Sequence, residues 1–358
     1  MTVRRLSTRL LLRPEDMPPS RDDFEVVGVF NPGAVRAGSE VVLLVRVAER
    51  PRERREGFTG LPRWGPAGGL TVDWVPEAEL EPLDPRVVRR KADGLVRLTF
   101  TSHLRVVRCG DGRAVREITG VTFLPQAEVE EFGIEDPRIT PLDGRFYFTY
   151  VAVSRHGPAS ALASTVDFRT FERHGVLFCP ENKDVVLFPQ RIGATFAALH
   201  RPVCGTPFTR PEMWVARSPD LIHWGAHAPL AVPGGAWQSG RVGAGAPPVG
   251  VPDGWLEIYH GNSHTTRPGE VGAYYGGAIL LDRDDPACVV RRTTEPFVVP
   301  EADFEVTGFV PNVVFPTGVV QDREVILVYY GAADAFTAVA EFSQQDLLGA
   351  MIAADRSD

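Results

Sequence analysis

Two carboxylates and an arginine stand together at the entrance to an aromatic-rich strand. The stretch GIEDPRITPLDGRFYFTY begins at Gly133 and contains Glu135, Asp136 and Arg138 just before alternating aromatic residues. A carboxyl group held in a pocket can donate or accept a proton during bond cleavage. The same residues are also typical of a turn closed by a local ion pair, so Asp136 alone leaves both interpretations open.

The sequence lacks the motifs of several common enzyme classes. It contains no GxxxxGK[ST] and no strand-linked GxGxxG for a nucleotide, no HExxH for zinc and no GxSxG for a serine hydrolase. Carboxylates, arginines and aromatic residues remain, a mixture typical of sugar sites. The aromatic candidates, each of which alone is more often a core residue, are Trp64, Trp74, Trp237, Tyr259, Tyr274 and Tyr330.

The composition narrows the class of partner and the cellular location. A formal net charge of −8 argues against general binding to nucleic acid or to a membrane surface. The basic runs RPRERREG (50–57) and RVVRRK (86–91) are interpreted as solvated loops. The basic N-terminus has only Leu10 to Leu12 as an apolar core, which is too short for a signal peptide. No stretch is long enough to span a bilayer, so we expect a cytoplasmic protein.

One hairpin pattern recurs five times and predicts how such residues are positioned. Each copy has a short strand, a turn rich in Gly, Asp or Pro, and a second strand; the copies begin at Asn31, Asp136, Asp184, Gly245 and Pro311. Irregular spacing of β-hairpins favours a five-bladed β-propeller, with a two-layer β-sandwich as the rival. The first strands would then bring Asn31, Asp136, Asp184 and Asn312 to one axial pocket.

The predicted architecture is all-β, a single propeller domain over residues 1–358. Residues 1–25 form an N-terminal extension in this prediction, and residues 335–358 form a C-terminal helical tail. The helix is predicted because Val339, Phe342, Leu347 and Met351 recur at helix-like intervals.

Ten segments, in order from about Val29 to Asp334, resemble glycoside hydrolase family 130, the β-1,4-mannosyl phosphorylases and related β-mannoside hydrolases. The segments are VFNPGAV, LLVRVAER, GIEDPRIT, ENKDVVLFP, LHRP, SPDLIHW, GWLEIYHGN, GGAILLD, VPNVVFPTG and YYGAAD. The family fold is a five-bladed propeller, in agreement with the repeats. The resemblance implies an inverting phosphorylase in which inorganic phosphate takes the place of the water used by a hydrolase.

The resemblance also implies roles for individual residues. Asp136 would be the general acid, its proton passing through a hydroxyl of the bound mannose. The phosphate would be held by Arg155, Arg173, Arg241 and His260, with Arg241 standing where the family commonly has Lys. The remaining residues implied to bind the sugar or line the same funnel are Asn31, Arg46, Lys183, Asp184, His200, Arg201 and Asp334. No metal or organic cofactor is implied; phosphate is the co-substrate.

The resemblance therefore predicts a reversible, β-1,4-mannosyl phosphorylase-like enzyme that produces α-mannose 1-phosphate from a β-mannoside oligosaccharide. An inverting β-mannoside hydrolase and a non-catalytic glycan-binding propeller are the alternatives. Homo-oligomers are common among relatives, so the resemblance allows one here. The insertions at 50–69 and 260–271 are expected to contact the acceptor sugar, and the first could instead form a lid or a subunit contact.

Overall fold

The computed structural model describes residues 3–65, 69–126, 128–203, 210–230, 232, 235–263 and 271–354. Its strands are β1 (Arg5–Leu12), β2 (Phe24–Ala37), β3 (Glu40–Pro51), β4 (Phe58–Trp64), β5 (Leu70–Pro76), β6 (Leu80–Asp84), β7 (Val87–Arg90), β8 (Val96–Leu98), β9 (Thr101–Cys109), β10 (Val115–Phe123), β11 (Gly133–Leu142), β12 (Arg145–Ser154), β13 (Gly157–Thr165), β14 (Glu172–Phe178), β15 (Asn182–Leu187), β16 (Phe196–Pro202), β17 (Met213–Ser218), β18 (Gly225–Leu230), β19 (Arg241–Ala244), β20 (Val249–Val251), β21 (Gly254–Asn262), β22 (Tyr274–Leu281), β23 (Val289–Arg292), β24 (Val314–Asp322), β25 (Val325–Ala332), β26 (Phe336–Ser343) and β27 (Ile352–Ala353).

Helix is confined to short segments. Within the described ranges the α-helices are α1 (Asp303–Val306) and α2 (Gln344–Ala350), and single 3-10 turns occur at Pro14–Asp16, Glu77–Glu79, Glu128–Glu130 and Ala236–Gln238. No helix in this part of the chain has the length and apolarity that a membrane span requires. The prediction of an all-β fold is confirmed.

Five antiparallel sheets carry the fold. In chain order of their first strands they are β2-β3-β9-β10, β11 to β14, β15 to β18, the sheet β19-β21-β22-β23-β27 with β20 on β21, and β24-β25-β26-β1. The first strand of each of the first three sheets contacts the first strand of the next. Strand β24 contacts both β2 and the fourth sheet, so the contacts return from the fifth sheet to the first. Two small sheets, β4-β5 and β6-β7-β8, are inserted between β3 and β9.

A hydrophobic cluster fills each space between consecutive sheets. Strand β3 shows why its sequence is apolar on both faces: Leu43 and Val45 pack against the fifth sheet, whereas Val42 and Leu44 pack against the second. Alternate side chains of a strand point to opposite faces, so a strand covered on both sides needs a continuous apolar run. The run VVLLV supplies it.

The predicted terminal segments are corrected by the strand pairing. Strand β1 pairs with β26 and completes the fifth sheet, so residues 5–12 are part of the core architecture and not a detached extension. Residues 336–343 form strand β26, where a helix is predicted. Val339 and Phe342 lie in different clusters on opposite faces of β26, which is the period of two expected of a strand. The helical part of the tail is Gln344–Ala350.

Helix α2 begins immediately after β26 because Ser343 caps it. Its Oγ accepts a hydrogen bond from the backbone N–H of Asp346 at 3.1 Å. We expect Ser343→Ala to lower the free energy of unfolding by about 1 kcal/mol, since a backbone donor loses its partner. Urea denaturation measures this loss, and Ser343→Asp, which retains a capping oxygen, is the control. Equal losses in both variants would show that the cap contributes nothing.

Candidate active site

The site is built on a backbone feature that the first strands of the first three sheets share. Asn31 on β2, Asp136 on β11 and Asp184 on β15 have φ values of 50°, 50° and 56°. Each lies where the register with the next strand shifts. Bulges with a left-handed residue re-aim side chains, and Asn and Asp adopt this conformation more readily than other non-glycine residues. The three side chains consequently reach the same pocket, as predicted; Asn312, the fourth residue predicted there, is exposed and outside the lining.

A cavity of about 320 Å³ lies at this convergence. Nine of the twelve predicted site residues line it: Asn31, Arg46, Asp136, Lys183, Asp184, Arg201, Arg241, His260 and Asp334. A volume of this size is within the range of small-molecule sites. The structure therefore brings most of the predicted residues together.

Asp136 is held by two donors on one side of the pocket. Its Oδ1 accepts hydrogen bonds from Asn31 Nδ2 at 2.8 Å and from Arg46 Nη1 at 3.0 Å. Burial raises the pKa of the Asp136 carboxyl, but the guanidiniums of Arg46 and Arg138 outweigh burial and hold that pKa below its ordinary value. With these protein partners alone, Asp136 is a carboxylate at neutral pH.

Arg46 uses all three of its nitrogens within the site. Besides Asp136, its Nη2 donates to Glu135 Oε1 at 2.7 Å and its Nε to Ser102 Oγ at 3.1 Å. The guanidinium also lies over the ring of Phe30, 4.6 Å from the centroid. This planar fork is therefore fixed in orientation.

A second buried carboxylate, Asp184, organises the opposite side. Its Oδ2 accepts from Arg201 Nε at 2.6 Å and lies 3.4 Å from His260 Nε2. Burial works against ionisation, but Arg201, His260 and Arg138 together outweigh it and hold the pKa of Asp184 well below its usual range. Burial also lowers the pKa of His260, against the pull of Asp184, so the imidazole is neutral at neutral pH. Gly243 leaves the space for this pair, because a Cβ there would collide with both side chains.

Six basic side chains line the pocket. Besides Arg46 and Arg86 they are Lys183, Arg201, Arg241 and His260, and these last four are hereafter called the cation cluster. Arg241 Nη1 donates to the hydroxyl of Tyr274 at 2.6 Å, and Lys183 Nζ lies 3.5 Å from Glu135 Oε2. His260 packs on the ring of Phe315, with centroids 4.3 Å apart. Two guanidiniums, an ammonium and an imidazole facing one cavity are suited to an oxyanion.

Comparison with known proteins agrees with this geometry. The family model described as beta-1,4-mannooligosaccharide phosphorylase matches residues 83–352. A beta-1,2-mannobiose phosphorylase of Listeria innocua serovar 6a is 36% identical over 97% of this chain and 98% of its own length. The chain belongs to glycoside hydrolase family 130. The resemblance inferred from the motifs is confirmed.

A solved structure and one further relative are also similar to this chain. The solved structure of beta-1,2-mannobiose phosphorylase from Listeria innocua, in complex with beta-1,2-mannobiose, superimposes with a TM-score of 0.88 at 37% identity. The match covers 95% of this chain and 96% of that one. A beta-1,4-mannooligosaccharide phosphorylase of Ruminococcus albus is 34% identical over 62% of this chain and 66% of its own length.

Two of the residues given a phosphate role by motif lie outside the pocket. Arg155 lies in the turn after β12, where Glu131 binds it with bonds of 2.7 and 2.9 Å, and its side chain is 57% exposed. Arg173 lies on β14, the outermost strand of its sheet, with its guanidinium over the ring of Phe123. Neither lines the pocket. Lys183 and Arg201, predicted as sugar-funnel residues, occupy the cation cluster in their place.

His200, also predicted to line the funnel, is a third residue that lies outside the pocket. It is buried on β16, where its Nδ1 is 2.9 Å from Asn182 Nδ2 and its ring stacks on Phe178 at 4.5 Å. Its pKa is lowered to about 4 by burial and by the neighbouring His227. Successive residues of a strand point to opposite faces, so His200 faces away from the pocket that its neighbour Arg201 lines.

The inserted sheet β6-β7-β8 supplies pocket residues that the sequence analysis missed. Arg86 donates to Asp84 Oδ2 at 3.1 Å and to Asp334 Oδ2 at 3.3 Å. Burial, with the added negative charge of Asp136, raises the pKa of Asp334 in spite of Arg86 and Arg46. The interpretation of RVVRRK as a solvated loop is therefore wrong for Arg86. In the sequence, the available signal was that Arg86 stands immediately before a short run of residues typical of a strand.

The predicted acceptor-contact insertions are described only in part. Residues 66–68 and 264–270 lie outside the described residues. Of the remainder, Phe58–Trp64 forms β4, and Val271 lines the pocket beside Tyr274.

Proposed function

We propose that this family-130 chain is an inverting β-mannoside phosphorylase that transfers a mannosyl unit to inorganic phosphate and yields α-mannose 1-phosphate. The carrying observation is that one cavity holds Asp136, bound by Asn31 and Arg46, together with the cation cluster. An acid and an anion site in one pocket are the two parts that phosphorolysis requires.

In the proposed reaction a phosphate oxygen attacks the anomeric carbon from the face opposite the leaving oxygen. The bond from C1 to the leaving oxygen breaks, the bond from C1 to phosphate forms, and Asp136 supplies the proton that the leaving oxygen needs. Phosphate is already an anionic nucleophile, so no carboxylate base is needed to activate it. The arginines of the cation cluster can bind its oxygens through parallel charge-assisted bonds. The mechanism needs no metal or organic cofactor.

Protonation of Asp136 is coupled to phosphate in this scheme. The positive charges that favour its carboxylate form are offset when an anion occupies the cation cluster, so the proton is bound more tightly in the complex. In the synthetic direction the same carboxylate accepts the proton of the attacking hydroxyl. Asn31, Arg46 and Asp334 are left to bind mannose hydroxyls.

We further propose that the linkage cleaved is β-1,2. The support is that the relative covering nearly all of both chains acts on beta-1,2-mannobiose, whereas the beta-1,4 relative matches about two thirds of each. This replaces the β-1,4 expectation as the leading proposal and keeps β-1,4 as the alternative.

The test uses β-1,2-mannobiose and β-1,4-mannobiose, each with and without phosphate, and measures mannose and mannose 1-phosphate. We expect phosphate-dependent release of mannose 1-phosphate, faster from the β-1,2 disaccharide. Equal cleavage without phosphate would instead indicate a hydrolase. Asp334 is an unfavourable base for that reaction, because Arg86 already donates a hydrogen bond to its Oδ2. Binding without turnover would indicate a lectin-like propeller.

We also infer that the five sheets are the blades of a five-bladed propeller and that residues 1–358 form one domain. Support comes from the five inter-sheet hydrophobic clusters, which follow one another around the molecule and return to the first sheet. The N-terminal strand β1 in the fifth sheet ties the two ends of the described chain together.

A further inference from the structure

Glu135, the neighbour of the proposed acid, stands between the two sides of the pocket. It is 6% exposed; Oε1 accepts from Arg46 Nη2 at 2.7 Å, and Oε2 lies 3.5 Å from Lys183 Nζ. Its carboxylate therefore joins the arginine that binds Asp136 to a lysine of the cation cluster. None of the roles assigned above uses Glu135.

The charges explain what such a bridge does. Arg46 and Lys183 carry two positive charges, and Glu135 and Asp136 carry two negative charges when both are ionised. Arg46 gives one Nη to each carboxylate, so Glu135 competes with Asp136 for the same guanidinium. Without Glu135 both cations would act on Asp136 alone and would favour its ionised form.

The distance between the Glu135 carboxylate and Lys183 Nζ is informative as well. Charge-assisted hydrogen bonds between an ammonium and a carboxylate are typically about 2.7–2.9 Å long. At 3.5 Å, Lys183 is held loosely by Glu135 and can turn to an anion in the pocket. Glu135 then has Arg46 as its remaining partner.

We propose that Glu135 is a positioning residue that shares Arg46 with Asp136 and releases Lys183 to phosphate, so that phosphate binding and protonation of the acid occur together. The proposal rests on the proposed phosphorylase function. Glu135 itself touches neither substrate in this scheme; it acts through Arg46 and Lys183.

Several elements contribute to the electrostatic field at Asp136, and all of them affect the expected pH dependence. The polar and charged groups that act on Asp136 are Asn31 on β2, Arg46 on β3, Arg138 on β11, Lys183 on β15 and Asp334 after β25. Glu135, also on β11, is paired with Arg46. Glu135→Gln changes one charge in this set and keeps the shape of the side chain.

The first experiment is the pH profile of kcat for phosphorolysis in Glu135→Gln. The acid must be protonated, so activity falls as pH rises through its pKa in the complex. Loss of the Glu135 charge should move this alkaline limb about one pH unit lower, a roughly tenfold loss of rate at pH 8. Phosphate affinity, measured by calorimetry, should be unchanged or higher, because a negative charge has been removed. A merely structural role would weaken phosphate binding as well.

The matched control is Glu131→Gln. Glu131 is similarly buried on the same segment and pairs with an arginine, Arg155, outside the pocket. We expect its alkaline limb and phosphate affinity to match those of the wild type. An alkaline limb in Glu135→Gln that coincides with the control, or a parallel loss of phosphate affinity, would overturn the proposal.

A second measurement compares wild-type protein with Asp136→Asn and Glu135→Gln. At pH 8.5 phosphate is already a dianion, so titration in buffers of different ionisation enthalpy reports proton uptake by the protein. We expect uptake by the wild type that is lost in Asp136→Asn and reduced in Glu135→Gln. Equal uptake in wild type and Asp136→Asn would overturn the coupling. A wild type that cleaves mannobiose without phosphate would instead contradict the proposed function.

Discussion

Asp136→Asn is expected to lower kcat for phosphorolysis by about a thousandfold, within the ~10²–10⁴ range of general acid catalysis. The amide has nearly the same shape but has no acidic proton to transfer to the leaving oxygen. The left-handed backbone at this position, with φ of 50°, suits Asn as well as Asp, so the fold should be retained. Initial rates of mannose 1-phosphate release measure the effect.

The matched control for this variant is Asp143→Asn. Asp143 lies in the turn between β11 and β12, has the same φ of 50°, and is outside the pocket lining. The same chemical change in the same conformation should leave kcat within about twofold of the wild type, since surface substitutions are usually near neutral. If Asp136→Asn retained wild-type kcat while phosphorolysis occurred, Asp136 could not be the acid.

The pocket residues that the sequence predicted best are those tied to the hairpin pattern. Asn31, Asp136 and Asp184 all begin a repeat, and a strand period of two with a bulge at a recurring position brings them to one place. The all-β class follows from the same pattern, because apolar runs such as VVLLV require strands covered on both faces.

Residues outside that pattern were harder to place. Whether an arginine reaches the centre depends on which strand of its sheet carries it, and strand order is not visible in the sequence. Arg173 is on an outermost strand, whereas Arg86 reaches the pocket from an inserted sheet. Likewise, Val339 and Phe342 are three residues apart, a spacing compatible with a helix or with opposite faces of a strand. Only the pairing of β26 with β25 and β1 decides between them.

The proposed phosphate site leads to the second large expected effect. Arg241→Ala is expected to raise the KM for phosphate by about ten- to a hundredfold, the equivalent of one or two hydrogen bonds to a charged group. At saturating phosphate kcat should stay close to the wild-type value, because the interaction is made with bound phosphate before and during the reaction. Arg241→Lys retains the charge at this position and should lose only a few-fold.

The Arg155→Ala variant distinguishes the motif-based phosphate site, which contains Arg155, from the cation cluster, which does not. The motif-based assignment gives Arg155 a phosphate role, whereas the structure pairs it with Glu131 and leaves its side chain 57% exposed. Phosphate KM should therefore be unchanged in Arg155→Ala and raised in Arg241→Ala, with both measured at fixed mannobiose. The reverse result would mean that phosphate binds on the Arg155 side. Asp136 and Arg241 would then no longer act on the same anion, because Arg155 does not line the cavity that holds the acid.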